Sequence, residues 1–207
     1  MIESDTGRVP RLVAGADVSF DRSSPELHAA VVVLDAESLE VVEVAAVRGR
    51  ARFPYVPGYL SFREIPPLLE AFAKLEAVPD LVVCDGQGRA HPRRFGLACH
   101  LGVLLDLPTL GCAKSRLIGE YREPGPRRGA HTRLLDAGEV IGEAVRTRSG
   151  VKPVFVSVGH RISLESARRA ALRLAPRCRI PEPVRAAHLE VNRLRRLAGC
   201  SGPRSVV

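Results

Sequence analysis

Three apolar runs of strand length, separated by short polar turns, occupy the first fifty residues and commit the chain to open on an antiparallel meander. Leu12 to Phe20 is the first, His28 to Asp35 the second and Val41 to Val47 the third. After a proline-punctuated stretch over 53–67 the period changes. Apolar residues at 68, 69, 72 and 75 fall on one helical face, predicting a helix begun near Phe62. Leu81 to Cys84 is short and wholly apolar, the mark of a central strand buried on both faces. A second helix is expected over Phe95 to Leu105, with Leu97, Leu101, Leu104 and Leu105 on one stripe, before a fifth strand at Pro108 to Ala113.

This order of meander, helix, strand, helix, strand resembles the ribonuclease H-like fold: a mixed five-stranded α/β sheet flanked by helices. Additional strands and helices are expected after it. Residues 116–150, rich in Gly, Arg and Glu, read as loops and exposed strands over the core, and Val154 to Val158 as a further strand. Ser163 and Ser166 open a helix through Leu174. The last helix is placed over Arg185 to Leu197, with Leu189, Leu194 and Leu197 facing inward, and residues 199–207 read as a frayed tail. At 207 residues and 45% apolar composition the chain supports one domain, and a monomer is the default. No apolar run reaches the roughly 18 residues of a spanning helix, and an N-terminus bearing Glu3 and Asp5 lacks the pattern of a signal peptide. The expectation is a soluble, cytoplasmic protein. Five cysteines without a Cys-x-x-Cys pair indicate reduced thiols and no zinc knuckle.

Charge is distributed unevenly. Residues 1–85 carry 8 basic and 14 acidic side chains, and residues 86–207 carry 23 and 9, so the second half suits a polyanion or reflects an arginine-rich surface. The chemistry centres on Asp85-Gly86-Gln87-Gly88-Arg89-Ala90-His91-Pro92-Arg93. There a buried strand ends on a carboxylate, glycines permit close approach of a ligand, and basic groups stand beside the acid. Asp17, inside an apolar strand, is costly as an ion unless it lies at the strand's edge or meets a cation, though a structural hydrogen-bonding role fits it equally. Glu64 lies near a helix start, where an acid is also commonplace. Together, Asp17, Glu64 and Asp85 are the hard oxygen donors that metal-assisted phosphodiester hydrolysis requires. The Gly-rich loop lacks both Gly-x-Gly-x-x-Gly spacing and a Gly-Lys-Ser/Thr ending, which weakens a nucleotide-binding reading. A non-cleaving nucleic-acid-binding protein of the same fold would not need all three acids.

The motifs as a set resemble the endonuclease V family, in order along almost the whole chain. Ala14-Gly15-Ala16-Asp17-Val18-Ser19-Phe20 resembles its first acidic motif, and Pro54-Tyr55-Val56-Pro57-Gly58-Tyr59-Leu60-Ser61-Phe62-Arg63-Glu64 its most distinctive segment. The Asp85 loop, Gly96 to Gly102, Gly111-Cys112-Ala113-Lys114-Ser115 and Val156 to Ser163 follow in register. Val158 and Cys112 depart from the residues usual at those places, without removing a functional group.

The resemblance implies a DNA repair endonuclease that recognises deaminated bases, chiefly deoxyinosine, and hydrolyses the second phosphodiester bond 3′ to the lesion, leaving 3′-hydroxyl and 5′-phosphate ends. Inosine-containing RNA is the alternative substrate. It also implies a magnesium centre, with manganese as a substitute, built on Asp17, Glu64 and Asp85, with Asp17 and Asp85 as the direct ligands. His188 falls at the fourth catalytic position, to ligate metal, orient water or assist the leaving oxygen, and Lys114 at the scissile phosphate. Tyr55 is implied as the wedge that fills the gap left by a rotated base. Gly58, Leu60, Gly86, Gly88 and His91 are implied to line the base pocket, while His160 and Arg161 support DNA contacts or local structure.

Overall fold

The expected meander forms. In the computed structural model, which describes residues 9–20, 25–54, 56 and 58–200, β1 (Leu12–Phe20) pairs antiparallel with β2 (Glu26–Asp35), and β2 with β3 (Val41–Arg50). Helix α1 (Leu60–Phe72) then crosses to β4 (Leu81–Cys84), which runs parallel to β1; α2 (Leu97–Leu105) leads to β5 (Thr109–Ala113), parallel to β4. Pro66 and Pro67 lie inside α1, so two amide donors are missing from its ladder and the helix depends on packing. Ile65, Leu68, Ala71 and Phe72 supply that packing.

The sheet extends further than the sequence reading allowed. Residues 116–150 contribute β6 (His131–Asp136) and β7 (Glu139–Val145), and β8 (Val154–His160) joins them to β5, giving eight strands in the order β3-β2-β1-β4-β5-β8-β7-β6. Of these two strands from 116–150, β6 is an exposed edge, while β7, paired with β8, is largely buried. Its polar Glu143 misleads: it is buried against Arg168, at 3.2 Å, on α3 (Leu164–Arg173).

Strand alternation sorts the core into two layers. Val13, Val32, Leu34, Leu81, Val83, Leu110 and Val156 face α3 and α4 (Glu182–Cys200), while Ala14, Ala16, Val31, Val33, Val82 and Cys84 face α1 and α2. Cys84, Cys99 and Cys112 are buried thiols, and burial pushes Cys99 up to about 11 and Cys112 up to about 12, so they are unreactive at neutral pH. Among the described residues no helix is long and apolar enough to cross a membrane.

Two apolar stripes need correction. On α2, Leu97 and Leu101 are buried but Leu104 is 51% exposed. On α4 the buried residues are Val184, Ala187 and Val191, whereas Leu189 and Leu197 are 49% and 53% exposed. The helix also begins earlier, at Glu182, and continues to Cys200; residues 201–207 of the expected tail lie outside the described residues.

The reason is a close approach. A Cβ on Gly15 of β1 would stand 1.9 Å from the Pro183 carbonyl oxygen, so the first turn of α4 rests directly on the strand backbone. Small residues must face the sheet there, and the leucines turn outward. Gly15→Ala should therefore lift α4 from β1 and cost about 3 kcal/mol, the upper range for overpacking, measured by urea denaturation. Unchanged stability would mean the contact yields without strain.

Candidate active site

The parallel register of β1 and β4 brings the first two acids together. Gly15 pairs with Val83 and Ala16 with Cys84, so the next residues, Asp17 and Asp85, stand side by side where the two strands part. The Asp85 amide donates to the Ala16 carbonyl at 3.3 Å, continuing the ladder to that point. This is the carboxyl end of adjacent parallel strands, where open α/β sheets place ligands.

From the other side α4 delivers His188. Its Nδ1 is 2.8 Å from Asp17 Oδ2, and its Nε2 is 3.0 Å from the side-chain nitrogen of Asn192, one turn later. Since the Asn192 side-chain nitrogen can only donate, Nε2 accepts and Nδ1 carries the proton given to Asp17. His188 thereby orients the carboxylate. Asp17 Oδ1 accepts from the Val18 amide at 2.8 Å.

Asp85 accepts from the Lys114 ammonium at 2.5 Å; Lys114 directly follows β5. Burial, and then the charge of Asp85, raises the Asp17 carboxyl above its ordinary value despite His188. Glu64, on α1, is pushed from 4.5 to about 8, first by burial, then by Asp17 and Asp85. Three carboxyls thus compete for too little positive charge.

A divalent cation fits this donor set. Ligand atoms of Asp17, Asp85 and His188 lie within 4.8 Å of one another, and two carboxylate oxygens suit magnesium or manganese. His188 would join as a third ligand through Nδ1 only in its other tautomer, with the proton on Nε2 and the Asn192 side chain turned to accept it. A cation there would relieve the repulsion that raises Asp17 and Glu64.

Beside the acids is a cavity of about 460 Å³, within the range of small-ligand sites. Gly58, Leu60, Gly86, His91, Gly96 and Ala113 line it, together with Glu64, Asp85 and Lys114 of the acidic centre. Of the residues expected to line it, Gly88 does not. A Cβ there would stand 2.0 Å from the Val158 carbonyl oxygen, and its amide donates to the buried Ser157 hydroxyl at 2.8 Å. It seats the loop on β8 and leaves its neighbours to form the wall. His91 is buried, its imidazole held below the ordinary value by burial and then by Arg93. Arg93 joins the two walls, donating to the Gly58 carbonyl at 2.8 Å and lying 3.7 Å from the Tyr59 ring centre. Tyr55, the expected wedge, lies outside the described residues.

His160 is buried with Nε2 at 3.2 Å from Asp106, and Arg161 pairs with the same carboxylate at 2.9 Å, which gives both a local structural role. Two features escaped the sequence reading. One is Asn192, an unremarked amide whose spacing of four residues from His188 was the available signal. The other is an acidic clamp. Glu139, at the start of β7, accepts from Arg89 and from Arg94 at 2.6 Å, while Arg94 also reaches Asp136 at 2.8 Å. The β6–β7 hairpin thereby holds the loop that carries Asp85.

Strand order and helix placement put the chain in the ribonuclease H-like class of folds. The family model for endonuclease V matches residues 1–189. An endonuclease V from a Roseiflexus species is 56% identical over 177 residues, covering 86% of this chain and 79% of that protein. The crystal structure of the Streptomyces avermitilis endonuclease V superposes with a TM-score of 0.92 at 50% identity, covering 96% of this chain and 88% of that one. Endonuclease V from Ciona intestinalis, solved in complex with a 24mer DNA containing an inosine followed by a ribo-adenosine, superposes at 0.84 with 30% identity, covering 95% and 92%. The chain belongs to the endonuclease V family, a family of nucleases.

The raised Glu64 carboxyl has a stability signature. Between its ordinary 4.5 and about 8 the unfolded chain has released this proton while the folded protein retains it, so stability falls as pH rises through that window. In chelator, Glu64→Gln should flatten the decline of melting temperature with pH; an unaltered slope would place the coupling elsewhere. For the clamp, Glu139→Ala should quicken amide exchange across residues 86–94 and leave α3 unchanged. Equal protection in the two proteins would show that β8 alone fixes the loop.

Proposed function

We propose that the protein is a magnesium-dependent endonuclease that takes a deaminated base, chiefly hypoxanthine, into the cavity and hydrolyses the second phosphodiester 3′ to it. The products would be a 3′-hydroxyl and a 5′-phosphate. One observation carries the reading: Glu64, Asp85 and Lys114 both belong to the carboxylate centre and line the cavity, so base recognition and phosphate chemistry share a wall. The DNA complex of the Ciona relative supports an inosine-bearing strand as the ligand.

The residues divide the work. Asp17 and Asp85, with His188 holding Asp17 in place, would hold a divalent cation, which would supply Lewis acidity toward the phosphoryl group and the attacking water. The Lys114 ammonium, beside Asp85, offsets negative charge that grows on the phosphate oxygens. With a cation offsetting the charge of Asp17 and Asp85, Glu64 would release the proton it otherwise holds near neutrality, and the freed carboxylate could then accept one from water. The small residues of the wall leave backbone groups to read the edge of a planar base, and Tyr55 would fill the space the base vacates.

The test is nicking of end-labelled DNA and RNA, single- and double-stranded, each with one inosine, with and without magnesium. A magnesium-dependent nick at the second phosphodiester 3′ to inosine, one nucleotide beyond the lesion, is expected on DNA. Absence of any inosine-dependent nick would refute the reading, and cutting of RNA alone would move the substrate. Asp85→Ala should lower cleavage at least ~1000-fold while retaining inosine binding in chelator, since it removes a ligand and leaves the glycine wall.

A further inference from the structure

Aromatic residues are scarce in this chain, with 6 Phe, 3 Tyr and no Trp. Four of these nine, Phe53, Tyr59, Phe62 and Phe95, gather in one surface cluster with His100. Phe62 is its centre: ring centres lie 5.8 Å away for Phe53, 5.9 Å for Tyr59 and 5.2 Å for His100, and Phe95 is 5.5 Å from His100. Packing does not account for their exposure. Phe62 is 51% exposed, Phe95 37% and Tyr59 36%, and Leu60 beside them 40%. A contiguous exposed apolar patch of this kind marks a binding surface.

Three features identify what binds. The aromatic residues are chain neighbours of the cavity wall: Tyr59 lies between lining residues Gly58 and Leu60, Phe62 follows Ser61, and Phe95 precedes Gly96. Positive charge is interleaved with them, since Arg52 adjoins Phe53 in an exposed position and the Arg93 guanidinium lies over Tyr59. The interplanar angles, 31° for Phe53–Phe62 and 44° for Tyr59–Phe62, show that the rings are tilted and not stacked face to face on one another. Aromatic faces alternating with arginines are how proteins hold unpaired bases without reading their sequence.

We infer that Tyr59, Phe62 and Phe95 form a stacking platform for unpaired nucleobases that adjoin the base held in the cavity. The inference rests on the nucleic-acid reading of the site but is independent of which base the cavity accepts. It gives the protein a grip on single-stranded flanks in addition to phosphate attraction. Stacking would persist at salt concentrations that weaken the phosphate contacts.

Binding of undamaged oligothymidylate, measured by fluorescence anisotropy in chelator, isolates the platform from both cleavage and lesion reading. Phe62→Ala and Phe95→Ala should each weaken binding roughly tenfold, and Phe62→Tyr should restore it. An abasic oligomer of equal length and charge should bind wild type and both alanine variants alike. Equal losses on both oligomers, or none on oligothymidylate, would overturn the platform. Failure of wild type to bind any oligomer would overturn the nucleic-acid reading as well. Sedimentation supplies a second check: a dimer abolished by Phe62→Ala would assign the patch to a second copy of this chain and refute the proposal.

Discussion

The structure depends on like-charge repulsion held in place by backbone. Asp17 and Asp85 stand together because β1 and β4 run parallel in a register the carboxylates cannot alter. Left to themselves, two buried acids would separate or protonate. The sheet prevents the first, and the raised carboxyls of Asp17 and Glu64 record the tendency to the second. His188 and Lys114 each approach one aspartate, and the rest of the demand for positive charge is what suits the centre to a cation.

Much of this was legible in the sequence for physical reasons. An acid in an apolar strand is conspicuous and singles out Asp17, where a structural hydrogen-bonding role fits equally, and the resemblance of its motif supplies the metal-binding expectation. Asp85 was found because a wholly apolar strand ended on it and glycines followed. The face of α4 was not legible, since the contact that sets it is made by a missing side chain: Gly15 admits the Pro183 carbonyl and obliges Val184, Ala187 and Val191 to face the sheet. Reading large leucines as inward failed at Leu189 and Leu197 for that reason. Strand β7 was obscured by Glu143, whose partner Arg168 lies 25 positions later on another element. Asn192 and Glu139 are ordinary surface residues until the fold aims them.

The loop after β4 shows how one short segment meets conflicting demands. It must be rigid, since it bears Asp85, yet it must expose backbone to a ligand. Gly88 secures it to Ser157 and Val158 below, Arg89 and Arg94 tie it to Glu139 at the side, and Arg93 ties it to Gly58 across the cavity. Anchors at three places hold Gly86 and His91 in position at the wall.

The bond between His188 and Asp17 spans 171 positions of sequence. It joins the first strand to the last helix described, so the centre is finished only when α4 docks. During synthesis the carboxylates of residues 17, 64 and 85 emerge long before the imidazole that orients one of them. A ribosome-bound chain would carry the acids and the sheet without a completed cutting centre. On the function proposed above, nuclease activity would arise only once α4 has docked on the sheet.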